Sequence, residues 1–238
     1  MNNKMKNALE DLKPKERKKS VNSKSKGKTF EYEVANSLSI ATGMPFQRIF
    51  ASGASVGQSN RGRLINMTNG QAITQLGDIT SPELLKQLII WECKNYQSVD
   101  LHLLLSAKGS KQIEGWLSEL LYDVESAIVS NITDKIVWGF LCIKWTRKGS
   151  WIIFNKNLLN NYFIDKEQFF NYDIPSLQFN YNISDTLVDN NWGNEFIMTD
   201  FEEFINKYHK LLFQLMTEDE AKLQTINNMQ RELDRLKK

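Results

Sequence analysis

The sequence predicts an α/β (α+β) layer fold: a helix, three strands, a second helix and two more strands, then a helical C-terminal extension. Three stretches carry that prediction. Residues 25–41 space Phe30, Val34, Ser37, Leu38 and Ala41 by threes and fours, which gives a helix one apolar face. Residues 88–94 are an apolar, β-branched run ending in Glu92 and Lys94. Residues 136–145 are almost wholly apolar, the pattern of a strand buried on both faces.

The bulk composition agrees. A chain of 238 residues, 41% hydrophobic and 24% charged, with mean hydropathy −0.43, suffices for one domain of moderate size with appendages. No apolar run approaches the ~20 residues of a membrane span. The Lys-rich N-terminus has no hydrophobic stretch behind it, so a secretory leader is not expected. Cys93 and Cys142 both fall in predicted strands, and reduced thiols in a cytoplasmic compartment are expected. His102 and His209 show no ligand spacing and receive no role.

In order along the chain, residues 1–24 read as a flexible basic arm. Between residues 4 and 28, ten lysines and arginines face only Glu10, Asp11 and Glu16, a pattern suited either to polyanions or to solubility. Residues 25–155 form the core. Its first helix ends at Gly43 and Pro45, with Glu31 and Glu33 in its early turns. Lys26-Gly27-Lys28-Thr29 is no phosphate loop, because Asn22 stands where the first glycine is required. Residues 46–51 alternate as a strand carrying Arg48, and a Gly/Ser/Asn-rich loop with Arg61 and Arg63 follows. Lys108, Lys111 and Gln112 lead into a helix whose apolar face is Ile113, Trp116, Leu117, Leu120, Leu121 and Val124. The strand over residues 136–145 then turns through Arg147-Lys148-Gly149 into Trp151-Ile152-Ile153-Phe154, a hairpin. Residues 156–198, rich in Asn, Phe and Tyr, are expected as an irregular extension packed on the core. Residues 199–238 are expected to be helical, with Thr199 as N-cap. Leu223, Ile226, Met229, Leu233 and Leu236 form a stripe suited either to a homodimer or to packing on the chain's own domain.

The chemistry centres on Glu92 and Lys94. In a strand, residues i and i+2 share a face, so carboxylate and ammonium point together while Cys93 points away. Asp78, in Gly77-Asp78-Ile79, supplies a second carboxylate in the spacing D-x(13)-E-x-K. Two converging carboxylates make a hard oxygen site for Mg²⁺ or Mn²⁺. A lysine beside such a site positions or deprotonates water and stabilises charge on a phosphate. The same spacing also arises on a solvated strand edge with a surface ion pair.

Four stretches together resemble the PD-(D/E)xK nuclease superfamily, within it the archaeal-type and phage Holliday-junction resolvases. They are Lys26-Gly27 with Glu31; Arg48 with Ala51-Ser52-Gly53; Gly77-Asp78-Ile79 with Ile90-Trp91-Glu92-Cys93-Lys94; and the last two core strands. The chain departs from that pattern in having Gly77 where a proline often precedes the aspartate. It also has a longer spacing from Arg48 to Asp78 and an added C-terminal third. The resemblance implies a restriction-endonuclease-like core, a central mixed sheet flanked by helices in the order αβββαββ. It implies Asp78, Glu92, the Cys93 carbonyl and Glu31 as Mg²⁺ or Mn²⁺ ligands, with Glu33 the rival of Glu31, and Lys94 at the attacking water. Lys28, Arg48, Arg61, Arg63, Lys108 and Lys111 are the expected DNA contacts, with Gln112 auxiliary. The expected function is a Mg²⁺-dependent endonuclease for branched DNA, phage- or mobile-element-encoded and acting in a host cytoplasm. A sequence-specific restriction-type endonuclease and a DNA-binding or assembly protein with a degenerate site are the alternatives.

Overall fold

The computed structural model describes residues 23–50, 67–106, 109–162, 174–184, 187, 192–213 and 215–237. The basic arm up to residue 22, the loop carrying Arg61 and Arg63, and Lys108 lie outside them. The elements are α1 (Ser23–Thr42), β1 (Gln47–Arg48), a short α2 (Asn69–Ile73), β2 (Ile79–Thr80) and β3 (Gln87–Tyr96). After them come α3 (Lys111–Val129), β4 (Ile136–Trp145), β5 (Gly149–Asn155), α4 (Asn157–Tyr162), β6 (Ser176–Asn180), β7 (Glu195–Asp200), α5 (Phe201–Leu212) and α6 (Glu218–Leu236). The predicted order αβββαββ is present, with α2 inserted between the first two strands.

The strands form one mixed seven-stranded sheet, ordered β1-β2-β3-β4-β5-β7-β6. Among the described residues only β3 and β4 run parallel, and α3 makes the crossover that a parallel pair requires. Their interiors are apolar because α3 covers one face and α1 with α5 the other. On the α1 side, Trp91 of β3 stacks on Phe140 of β4 at 4.8 Å and meets Phe46 edge-on at 6.2 Å. On the other side, Ile113, Leu117, Leu120 and Val124 of α3 are buried. Gly139 of β4 lets that helix approach: a Cβ there would stand 2.9 Å from Val124.

Two parts depart from the sequence reading. Residues 176–180 and 195–198, expected as irregular extension, and 199–200, expected to open a helix, form β6 and β7, which widen the sheet beyond β5. The C-terminal region is two helices with residues 213–217 between them, and Asp200 rather than Thr199 caps the first by accepting from the Glu203 N–H. Thr199 belongs to β7, where its hydroxyl donates to the Pro175 carbonyl. Cys93 and Cys142 are free, buried and in register across β3 and β4. Among the described residues no helix is long and apolar enough to cross a membrane.

Candidate active site

The turn before β2 sets the site's first carboxylate. Gly77 has φ +72°, and a Cβ there would lie 2.6 Å from the Trp91 carbonyl oxygen, so only glycine fits. The Asp78 N–H donates to that same carbonyl at 2.6 Å, and the Asp78 carbonyl accepts from the Ile49 N–H at 2.8 Å. The side chain is fixed as well: Asp78 Oδ2 accepts from the Cys93 N–H at 2.8 Å. The carboxylate is thereby pinned against β3 beside Glu92. Gly77→Ala is expected to destabilise the fold by about 3 kcal/mol, from left-handed strain plus the backbone collision. An unchanged denaturant midpoint would contradict this account.

Glu92 and Lys94 share the α3 face of β3, as their spacing predicts. Lys94 Nζ donates to Glu92 Oε1 at 2.6 Å and also pairs with Glu119 of α3. Burial, with the charge of Asp78 beside it, pushes the Glu92 carboxyl up to about 8, against the opposing pull of Lys94. For Lys94 itself burial acts downward, but Glu92 and Glu119 outweigh it and hold the ammonium above its usual range.

Glu31 reaches the neighbourhood from α1. Partial burial and Asp78 raise its carboxyl above the ordinary value, while an ion pair from Arg48 Nε opposes them. Arg48 gives its Nε to that pair; its side chain is 9% exposed, with the guanidinium 5.7 Å from the Tyr32 ring centroid and 5.5 Å from that of Phe50. Glu33, the rival of Glu31, instead pairs with Lys144 of β4. Lys28 and Lys111 are exposed near the starts of α1 and α3. Gln112 turns away to the end of β3: its Oε1 accepts from the Asp100 N–H at 3.0 Å and its Nε2 donates to the Ser98 carbonyl.

Two residues escaped the sequence reading. Glu119 and Asp123 stand one helical turn apart on α3, flanking its apolar face. Glu119 holds Lys94, and Asp123 Oδ2 accepts from the Gly77 N–H at 3.2 Å, bracing the turn that carries Asp78. Burial raises the Asp123 carboxyl to about 6, with Asp78 and Glu119 adding to the shift and the Gly77 N–H opposing it. Acids four apart beside a buried helical face were the available signal.

The donor set fits a hard divalent cation. Asp78 and Glu92 offer only oxygens, and the Asp78 charge adds to burial in raising the Glu92 carboxyl, a repulsion a cation would relieve. Among the described residues no three His, Cys, Asp or Glu side chains gather into a ready-made metal cluster.

A mixed sheet with flanking helices, carrying glutamate and lysine on β3 and an aspartate held against it from the turn before β2, defines a restriction-endonuclease-like core. The chain belongs to a phage PD-(D/E)xK endonuclease family: the family model described as "Phage putative PDDEXK endonuclease" matches residues 22–214. That match takes in the core, β6, β7 and α5. No curated protein and no solved structure matches the chain.

Proposed function

We propose that the protein is a divalent-metal-dependent DNA endonuclease selective for branched DNA. The Asp78 carboxylate held against β3 at the Cys93 N–H, with the Lys94 ammonium held between Glu92 and Glu119, is the observation that supports it. Asp78, Glu92 and the Cys93 carbonyl would hold Mg²⁺ or Mn²⁺, with Glu31 completing the shell directly or through water. Bound there, the ion supplies Lewis-acid stabilisation of the phosphate and a more acidic water.

The chain's own residues do the rest. Asp78 is aligned by the Cys93 N–H and by the Asp123-braced turn. Lys94 orients the attacking water and offsets charge on the phosphate. Arg48 fixes the orientation of Glu31. Lys28, Lys111 and the cations at 61, 63 and 108 contact phosphates and set register without reading sequence. The action falls in the host cytoplasm for a phage-encoded enzyme.

Cleavage of a four-way junction, a linear duplex and a single strand, each with Mg²⁺ and with EDTA, tests this reading. Symmetric nicking of the junction supports it. Cutting of duplex at fixed positions would favour a restriction-type enzyme, and binding without cutting a degenerate site. Deleting residues 1–24 is expected to weaken DNA binding and to flatten its salt dependence, since fewer phosphate counterions are then released. An unchanged slope in log Kd against log salt would make the arm a solubility tail.

The α6 stripe supports a homodimer. Leu223, Ile226, Met229, Leu233 and Leu236 are each at least half exposed. The helix meets its own domain through polar links instead: Lys86 with Glu220, Arg231 with Asp134, and Arg235 with the Met67 carbonyl.

A further inference from the structure

The α3 face of the sheet carries aromatic rings that the hydrolytic chemistry does not use. Tyr96 lies two residues beyond Lys94 on β3, so it shares that side chain's face about 7 Å further along. Tyr96 is in register with Trp145 of β4, and Trp151 of β5 is in register with Ile143, two residues before Trp145. In-register partners point the same way, so Tyr96, Trp145 and Trp151 stand on one side of three adjacent strands.

These rings are held in place yet partly exposed. Tyr96 is 45% exposed and packs on Trp116 of α3 with centroids 4.8 Å apart. Trp145 and Trp151 are half-buried and 6.2 Å apart. Trp145 Nε1 donates to the Gln97 carbonyl at 3.1 Å, and the Thr146 N–H and hydroxyl both donate to the Tyr96 carbonyl. Cations complete the patch: Arg147 and Lys148 are exposed on the β4–β5 turn, and Lys148 Nζ lies 6.0 Å from the Trp145 ring centroid. A purely structural role accounts for Trp116, which is 6% exposed, but not for three rings left partly in water beside two cations.

Bases inside a duplex already stack on each other and have no free face for a side chain. Unpaired bases do, and stacking on a protein ring contributes about 1–3 kcal/mol per base with little sequence preference, while nearby cations follow the backbone. We infer that Tyr96, Trp145 and Trp151, with Arg147 and Lys148, form a stacking platform for unpaired nucleotides beside the Asp78–Glu92–Lys94 site. The inference rests on the nuclease reading. It narrows the substrate to branched DNA with unpaired nucleotides at the branch, such as a splayed arm, flap or gap.

Binding is measured by fluorescence anisotropy in EDTA. The probes are a splayed-arm duplex, a fully paired four-way junction and a fully paired linear duplex, and the proteins are the full chain, Trp151→Leu, and Arg147→Glu combined with Lys148→Glu. The native chain should bind the splayed-arm probe most tightly. Trp151→Leu should lose about tenfold on that probe and less than about twofold on the paired ones. Should Trp151→Leu fail to fold, the charge-reversed variant, which keeps every ring at exposed sites, decides through a larger loss on splayed-arm than on linear DNA. Equal losses on all probes, or no preference by the native chain, would overturn the platform. Cleavage of the same probes with Mg²⁺ is scored separately. A chain that prefers splayed arms but cuts nothing sinks the nuclease reading alone, and one that cuts without that preference sinks the platform alone.

Discussion

Lys94→Ala is expected to lower cleavage by about a thousandfold while leaving DNA affinity within about threefold. The ammonium is the only cation found against Glu92 among the described residues, 2.6 Å from its Oε1, and Glu119 holds it from the other side. It is thus a fixed charge on the face where Asp78 and Glu92 converge, and fixed charge aimed at a developing anion is worth far more in a desolvated site than in water. Ground-state affinity for DNA is expected to come instead from many spread phosphate contacts, among which one largely buried lysine would be a minor part. Gel-based cleavage at saturating Mg²⁺, anisotropy in EDTA and far-UV circular dichroism together check the claim. A folded variant that cleaves at the native rate would end the role assigned to Lys94.

Those parts of the fold that local pattern determines were legible in the sequence. The apolar run ending at Glu92 and Lys94 is β3, the Ile113-to-Val124 face is buried under α3, and Gly43, with φ +69°, closes α1. What failed to show is what distant partners decide. β6 alternates exposed and half-buried residues and carries no apolar run, and its strand conformation is set by pairing with β7, which in turn pairs with β5. The break after α5 follows from Phe213, which leaves the helix to pack at 5.6 Å on Phe46.

The site divides in the same way. That Glu92 and Lys94 share a face was readable because strand periodicity fixes it, whereas Asp78 is set by the turn before β2. Asp123 and Glu119 were not, since their partners Gly77 and Lys94 lie at least 25 residues away in sequence. Arg48 looked like a phosphate contact, and only the packing of α1 against β1 reveals that Glu31 takes its guanidinium. α2 was legible in principle: Thr68 and Gln71 form a capping box, a threonine followed three residues later by glutamine.

Glu92→Gln is expected to make the metal-free protein more stable at pH 8.5 by a few kcal/mol, while abolishing cleavage. In the folded chain the Glu92 carboxyl is raised from an ordinary value near 4.5 to about 8, first by burial and then by Asp78. The native state therefore keeps a proton that the unfolded chain releases as pH climbs through that window. Because the folded state binds more protons there, its stability falls between about pH 4.5 and 8 and levels off above. Glutamine removes that loss, so the two proteins should melt alike near pH 4.5 and diverge towards pH 8.5. A divalent cation, if held as proposed, would act on the same repulsion from the other side: binding the carboxylates would stabilise the native chain by mass action. The Mg²⁺-induced rise in Tm should grow with pH up to about 8 and shrink sharply in Glu92→Gln. Melting curves of both proteins at the two pH values, with EDTA and with Mg²⁺, test each limb. A Glu92→Gln protein no more stable than the native chain at pH 8.5 in EDTA would mean that Glu92 is not strained by its surroundings. A native Tm indifferent to Mg²⁺ at that pH would mean the carboxylates relieve their repulsion without a metal.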